Sequence, residues 1–192
     1  MANISEPEEL ARHLLAKNVG KSAFLIGIDG KDGIGKSTLA KELSRLIKAK
    51  LISLDDYLVR NQDKYVDSLK FDEIIDAINS TNDIIIIEGV CLLAAIDHID
   101  ARLNDLVYVK RTSHGIWVDE DTCGSAKTAD EVIADEERML SMFLKGEASQ
   151  EEKDLPTNTD IKLSALREEI IRYHAKYKPP ERASVIFEAK HA

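Results

Sequence analysis

The sequence predicts an α/β fold built on a parallel sheet, and three features carry that reading. Short apolar runs alternate with amphipathic helical stretches along most of the chain, the pattern of strands joined by helical crossovers. The runs at 22–28 and 84–87 are apolar at nearly every position, as in strands buried on both faces. A glycine-rich turn lies directly between the first run and a helical stretch, as where a parallel sheet receives a phosphate group.

In order along the chain, Leu10, Leu14 and Leu15 give 6–18 one apolar side, with Ser5 as a cap and Pro7 in the first turn. After the strand at 22–28 and the glycine-rich turn, Leu39, Leu43, Leu46 and Ile47 keep a helical period over 36–49. A short strand is expected at 51–54. A helix is expected at 68–79, with Phe71, Ile74, Ile75 and Ile78 on one stripe. Ile84 to Ile87 is a run of β-branched residues suited to a central parallel strand. Further strands are expected at 106–109 and 184–187, and helices at 128–145 and 161–177. The expected sheet therefore has five parallel strands. The chain reads as one unit over 1–192, with 112–160 fitting the alternation least and reading as a helical lid or insertion over a site.

The chain has 192 residues, 44% hydrophobic and 32% charged, with a net charge of −9. That length is ample for a core, and no run reaches the length of a membrane span. The start, Met1 to Glu9, lacks the basic and apolar regions of a secretory signal. Cys91 and Cys123 are too few for a disulfide scaffold or a four-cysteine zinc site, so a reducing cytoplasm is the simplest expected home. Residues 117–160 hold 13 acids and four bases, which accounts for the whole net charge. Such a surface repels a phosphate backbone, so neither nucleic acid nor a membrane is expected as a partner. The plain reading of the acidic stretch is a solvated helix face and loop.

Gly30-Lys31-Asp32-Gly33-Ile34-Gly35-Lys36-Ser37, followed by Thr38, matches Gly-x4-Gly-Lys-Ser/Thr in full. This is the Walker A phosphate loop, and its residue types follow from its task. A triphosphate is wrapped by backbone N–H groups, which side chains would obstruct, so glycines stand at 30, 33 and 35. The following helix adds its partial positive charge. Lys36 is placed to reach the β- and γ-phosphates, and the Ser37 hydroxyl to ligate Mg²⁺. The expected fold is thus a three-layer P-loop NTPase with ATP and Mg²⁺ as cofactors. No Asn-Lys-x-Asp guanine signature and no Leu-Ser-Gly-Gly transporter signature occurs.

Ligands of open parallel sheets sit outside the carboxyl ends of the strands. Asp55 and Asp56 follow the second strand there, and Glu88-Gly89 follows the isoleucine run. Phosphoryl transfer to a hydroxyl uses one carboxylate at the acceptor and others around the metal. The plainer alternatives are a turn cap for Asp55 and Asp56 and a solvated strand-end acid for Glu88.

Ile26 to Gly30, the loop through Leu39, Ile52-Ser-Leu-Asp-Asp-Tyr57 and Ile85-Ile-Ile-Glu-Gly89 together resemble the uridine kinase-like P-loop kinases. That group includes nicotinamide riboside kinase, phosphoribulokinase and bacterial pantothenate kinase. Arg172 to Pro179 and Ala183 to Ile186 resemble the family's C-terminal stretch more loosely. The resemblance implies transfer of the ATP γ-phosphoryl group to a hydroxyl of a small metabolite. It puts the catalytic base on Asp55 and an acid near metal and substrate on Glu88. Asp56, Tyr57, Asp67 and His174 become candidate substrate residues, and a homodimer is compatible with it. Two features depart from the family. One aromatic, Tyr57, follows the base where nucleoside kinases often carry two. The expected lid, 111–160, holds only Arg111 and Arg138 in place of an arginine-rich motif, which leaves a different lid, a cation from Lys31, Arg111 or Arg172, or a weak kinase. These departures keep open a nucleotide-binding regulatory module, or a slow ATPase, whose acidic segment binds a protein partner.

The remaining side chains have plainer readings. Cys91 reads as core packing and Cys123 as inert. His114 reads as a loop residue, with a nucleotide contact as its alternative, and Trp117 as a local hydrophobic anchor, with an adenine shelf as its alternative. His174 reads as packing, with the substrate role as its alternative, and the Met139, Met142 and Phe143 stripe reads as core.

Overall fold

The computed structural model describes residues 2–21, 23–59, 64–81, 83–147 and 162–190. Its sheet has seven strands: β1 (Ala2–Ile4), β2 (Phe24–Asp29), β3 (Lys50–Ser53), β4 (Ile84–Glu88), β5 (Asp105–Ser113), β6 (Ile116–Trp117) and β7 (Val185–Lys190). The helices are α1 (Pro7–Lys17), α2 (Lys36–Ile47), α3 (Phe71–Asn79), α4 (Leu92–His98), α5 (Glu120–Cys123), α6 (Ala129–Glu147), α7 (Ala165–Tyr177) and α8 (Pro179–Arg182). Short 3-10 turns cover Leu54–Tyr57 and Val66–Ser68.

The strand order is β1-β7-β5-β2-β4-β3, all parallel, with β6 antiparallel to β5. The chain leaves β2 for the β3 edge, returns through β4, and then crosses to β5 on the other side of β2. That reversal opens a crevice at the carboxyl end of β2, where parallel sheets take their ligands. Ile26 and Ile28 point to one face, packed by α1 and α2 through Leu10, Leu14, Leu39 and Leu43. Leu25, Ile85, Ile87 and Tyr108 point to the other, packed by α3, α4 and α7. Successive residues of β2 and β4 are thus buried on opposite faces, which is why their sequences do not alternate.

Several expectations need correction. Seven strands replace five. β1 is a three-residue edge strand that forms because β7 offers it an open edge, with Asn3 opposite Ile186. β6 forms because His114 (φ 51°) and Gly115 (φ 79°) turn the chain back between Ser113 and Ile116, a two-residue hairpin turn that needs positive φ at both positions. α4, α5 and α8 were not expected from periodicity, being seven residues or fewer. The cap of α1 is Glu6, without a side-chain capping bond, and Ser5 instead donates to the Glu6 carboxylate. Leu15 and Leu46 are partly exposed at the margins of their helices. Residues 22 and 161, expected within a strand and a helix, lie outside the described residues, as does 148–160 of the acidic stretch.

The Met139, Met142 and Phe143 stripe is not core: these side chains are 68%, 68% and 62% exposed. α6 runs antiparallel along α7, with Val132 packed on Ile171 and Glu136 on Arg167. α7 begins at Ala165, so the stripe continues past the end of its partner. Among the described residues, no helix is long and apolar enough to cross a membrane.

Candidate active site

The loop after β2 adopts a backbone that its glycines permit. Gly30, Gly33 and Gly35 have φ of 149°, 69° and 94°, values an L side chain rarely takes. At Gly30 space is short as well: a Cβ would lie 2.5 Å from Ile34 Cδ1 and 2.9 Å from the Val109 carbonyl oxygen. α2 starts directly after Gly35 with no side-chain cap, so the N–H groups of its first turn are open to an anion.

A cavity of about 260 Å³ sits on this loop. Lys36, Ser37 and Thr38 line it, and so do Asp55, Glu88 and Gly89. Parallel pairing brings the two acidic motifs together, because Ser53 of β3 is the register partner of Glu88 of β4. The Ser53 hydroxyl donates to Glu88 Oε1 at 2.6 Å, and Glu88 is buried. Gly89 is needed for closeness: a Cβ there would meet Leu54 side-chain atoms at 2.8–3.0 Å.

Lys36 is buried, and its Nζ donates to the Lys31 carbonyl at 2.6 Å. Burial lowers its pKa, opposed by the carboxylates of Asp29, Glu88, Asp32 and Asp55. The Ser37 hydroxyl has no protein partner among the described residues and faces the cavity. Among the described residues no cluster of three or more His, Cys, Asp or Glu could hold a metal alone. A hydroxyl and two carboxylates around a phosphate cradle are instead the oxygen donors that suit Mg²⁺ when it is shared with a nucleotide. The residues present therefore fit a magnesium–nucleotide ligand.

Three neighbours of the cavity are not among the candidate site residues. Tyr65 donates from its hydroxyl to Asp55 Oδ1 at 2.6 Å. Burial and the bond to Asp55 raise the phenol pKa, so it stays a donor. Glu169 of α7 fixes that segment, accepting from the N–H groups of Tyr65 at 2.5 Å and Val66 at 3.1 Å. Asp29, at the end of β2, is fully buried. It accepts from Gly30 N at 2.7 Å and from the Tyr173 hydroxyl, which itself accepts from Leu93 N at 3.1 Å. Burial pushes the Asp29 carboxyl up to about 6, against those two hydrogen bonds.

The candidate cations are already engaged. Lys31 Nζ lies 2.6 Å and Arg111 Nη2 3.2 Å from the same oxygen of buried Asp119. Arg172 is exposed and pairs with Asp130 at 2.8 Å. Arg167, which the sequence did not single out, bonds Glu136 through two nitrogens at 2.7 and 2.8 Å and lies 3.9 Å from Asp32 of the loop. The acidic stretch is therefore only partly a solvated surface: its acids hold cations beside the phosphate loop.

The other candidate substrate residues fall outside the cavity lining. Asp56 is exposed, and Tyr57 is half-buried against the core on the same 3-10 turn as Asp55. Asp67 is exposed, 3.8 Å from Lys64. His174 is buried, with Nδ1 2.8 Å from the Ile170 carbonyl and Nε2 3.1 Å from the Tyr108 hydroxyl. Burial lowers its pKa to about 4, so it is a neutral packing histidine. His114 is in the β5–β6 turn, Cys91 and Cys123 are buried, and Trp117 packs edge-on to Tyr108.

No protein-family model matches the chain, and no curated protein matches it. Among solved structures it is similar to a protein described as a possible uridine kinase from Bacillus stearothermophilus, with a TM-score of 0.54 and 15% identity, covering 94% of this chain and 96% of that one. It also aligns with a candidate fructose transport system kinase from Silicibacter sp., with a TM-score of 0.44 and 12% identity over 97% of this chain and 99% of that one. The first likeness shows the fold alone, an α/β domain on a parallel sheet shared with that structure; the second is too distant to add to it.

Proposed function

We propose that the chain is an ATP- and Mg²⁺-dependent phosphotransferase that moves the γ-phosphoryl group to a hydroxyl of a small, nucleoside-like metabolite. One observation supports this above all: a single cavity joins a complete phosphate loop to the carboxylates of Asp55 and Glu88. In this reading the loop amides and Lys36 hold the phosphates, and Ser37 with the carboxylates holds Mg²⁺, whose charge offsets that of the phosphate oxygens. Asp55 accepts the proton of the acceptor hydroxyl through Oδ2, because Oδ1 is held by Tyr65. Glu88, fixed by Ser53, orients metal water or substrate. Asp56 and Tyr57 border the acceptor on the turn that carries Asp55; Asp67 is exposed, and His174 has both its nitrogens engaged by Ile170 and Tyr108.

A second reading has its own support. Asp119 occupies both Lys31 and Arg111, cations that would otherwise meet the transferred phosphoryl group. That contact favours a slow ATPase or a nucleotide-binding regulatory module. ADP release from MgATP against a panel of nucleosides, ribosides, pantothenate and sugar phosphates separates the readings. Acceleration by one compound, abolished in Lys36→Ala, is the kinase outcome. In Asp55→Asn, catalysis should collapse while ATP binding persists. Turnover that survives Asp55→Asn removes Asp55 as the base, and a flat panel with retained ATP binding favours the regulatory module.

A further inference from the structure

A second and larger cavity, about 580 Å³, lies on the sheet face opposite α2 and shares no lining residue with the phosphate site. Its apolar wall is Trp117, Val132, Ile171 and Ile186, contributed by β6, α6, α7 and β7. That volume is in the range of sites that enclose a small organic molecule.

The charge on the cavity runs against the charge of the chain. A protein of net charge −9 lines it with Lys110, Lys127 and Lys178 against Glu181 alone among acids. Lys127 is paired with Asp135 at 2.7 Å and Lys178 lies 3.5 Å from Glu181. Lys110 has no carboxylate partner among the described residues, although it is half-buried. Its ammonium sits 4.6 Å from the centre of the Trp117 ring. Lys110 thus makes no ion pair among the described residues, although Glu188 is its register neighbour on β7, and a half-buried ammonium in that position gains from an anion that reaches it. His174 does not compete for that ligand, because Ile170 and Tyr108 occupy both its nitrogens.

We propose that this cavity binds a planar organic anion, its charged group at Lys110 and its ring against Trp117, Ile171 and Ile186. The site does not depend on the kinase reading, and its test uses neither nucleotide nor turnover. The full chain contains one tryptophan, so a nitrogen-15 correlation spectrum shows one indole N–H signal, that of Trp117. The probes are naphthoate and its uncharged counterpart naphthamide. Naphthoate is expected to shift the indole signal saturably with a Kd below about 1 mM, and naphthamide to bind at least about tenfold more weakly. Lys110→Met should weaken naphthoate to the level of naphthamide. Ala175→Leu, an exposed wall position, should weaken both by narrowing the cavity. No saturable shift by about 5 mM, equal affinities for the two probes, or unchanged naphthoate binding in Lys110→Met would each overturn the proposal.

Discussion

Asp29 allows burial to be weighed against hydrogen bonding without any knowledge of the acceptor. Its carboxyl moves from 3.8 to about 6 because burial outweighs the bonds from Tyr173 and Gly30 N–H. A raised carboxyl pKa means that the folded chain keeps a proton which the unfolded chain has released. The associated stability is fully present below about 3.8 and disappears as pH rises through about 6. Linkage puts the change at about 2 kcal/mol between about pH 4.5 and about pH 7.5. Other groups titrate in that window, so the comparison is with Asp29→Asn, which removes this titration and leaves the rest. Urea unfolding followed by circular dichroism, repeated across the window, gives the stability of each protein. Wild type minus variant should fall by about 2 kcal/mol as pH rises from about 4.5 to about 7.5. A difference flat within about 0.5 kcal/mol, or one that rises with pH, would refute the dominance of burial.

Three other substitutions test the site. Gly30→Ala forces a Cβ to 2.9 Å from the fixed Val109 carbonyl at φ 149°, so it should lower stability by more than about 2 kcal/mol in thermal unfolding and abolish ATP binding. Tyr65→Phe removes the 2.6 Å bond to Asp55; kcat should fall about tenfold with the KM for ATP unchanged, and an equal rise in that KM would speak against positioning. Asp119→Asn weakens the hold on Lys31 and Arg111. It should tighten ATP binding severalfold in calorimetry at low salt, with a gain that shrinks as ionic strength rises.

Much of the fold is legible locally because its causes are local. The runs at 22–28 and 84–87 lack alternation because β2 and β4 lie inside the sheet with both faces covered. The loop is legible because positive φ and close approach restrict its residues to glycine. The meeting of Asp55 and Glu88 is legible at one remove, since each ends a strand and parallel strands align their carboxyl ends. The His114-Gly115 turn also has a local signal, a residue pair suited to positive φ, but the two-residue strand that follows it is too short to show a strand pattern. The surface stripe on α6 shows the limit of periodicity. Helical spacing marks an apolar face, but the length of the partner helix determines how much of that face is covered.

Asp55 by itself is a strand-end acid in the sequence. What holds it is Tyr65, and what holds Tyr65 is Glu169, 104 residues further along the chain. Lys31 meets Asp119 across 88 residues, and Asp29 meets Tyr173 across 144. Such partners have no fixed spacing, because packing between helix and sheet brings them together. The sequence by itself determined which backbone could wrap a phosphate, which segments could sit inside a parallel sheet, and where the candidate base and metal acids fall. Only the tertiary structure decided which groups restrain those acids, which cations Asp119 neutralises, and that a lysine and the chain's one tryptophan share a second cavity, since those contacts depend on how distant segments pack.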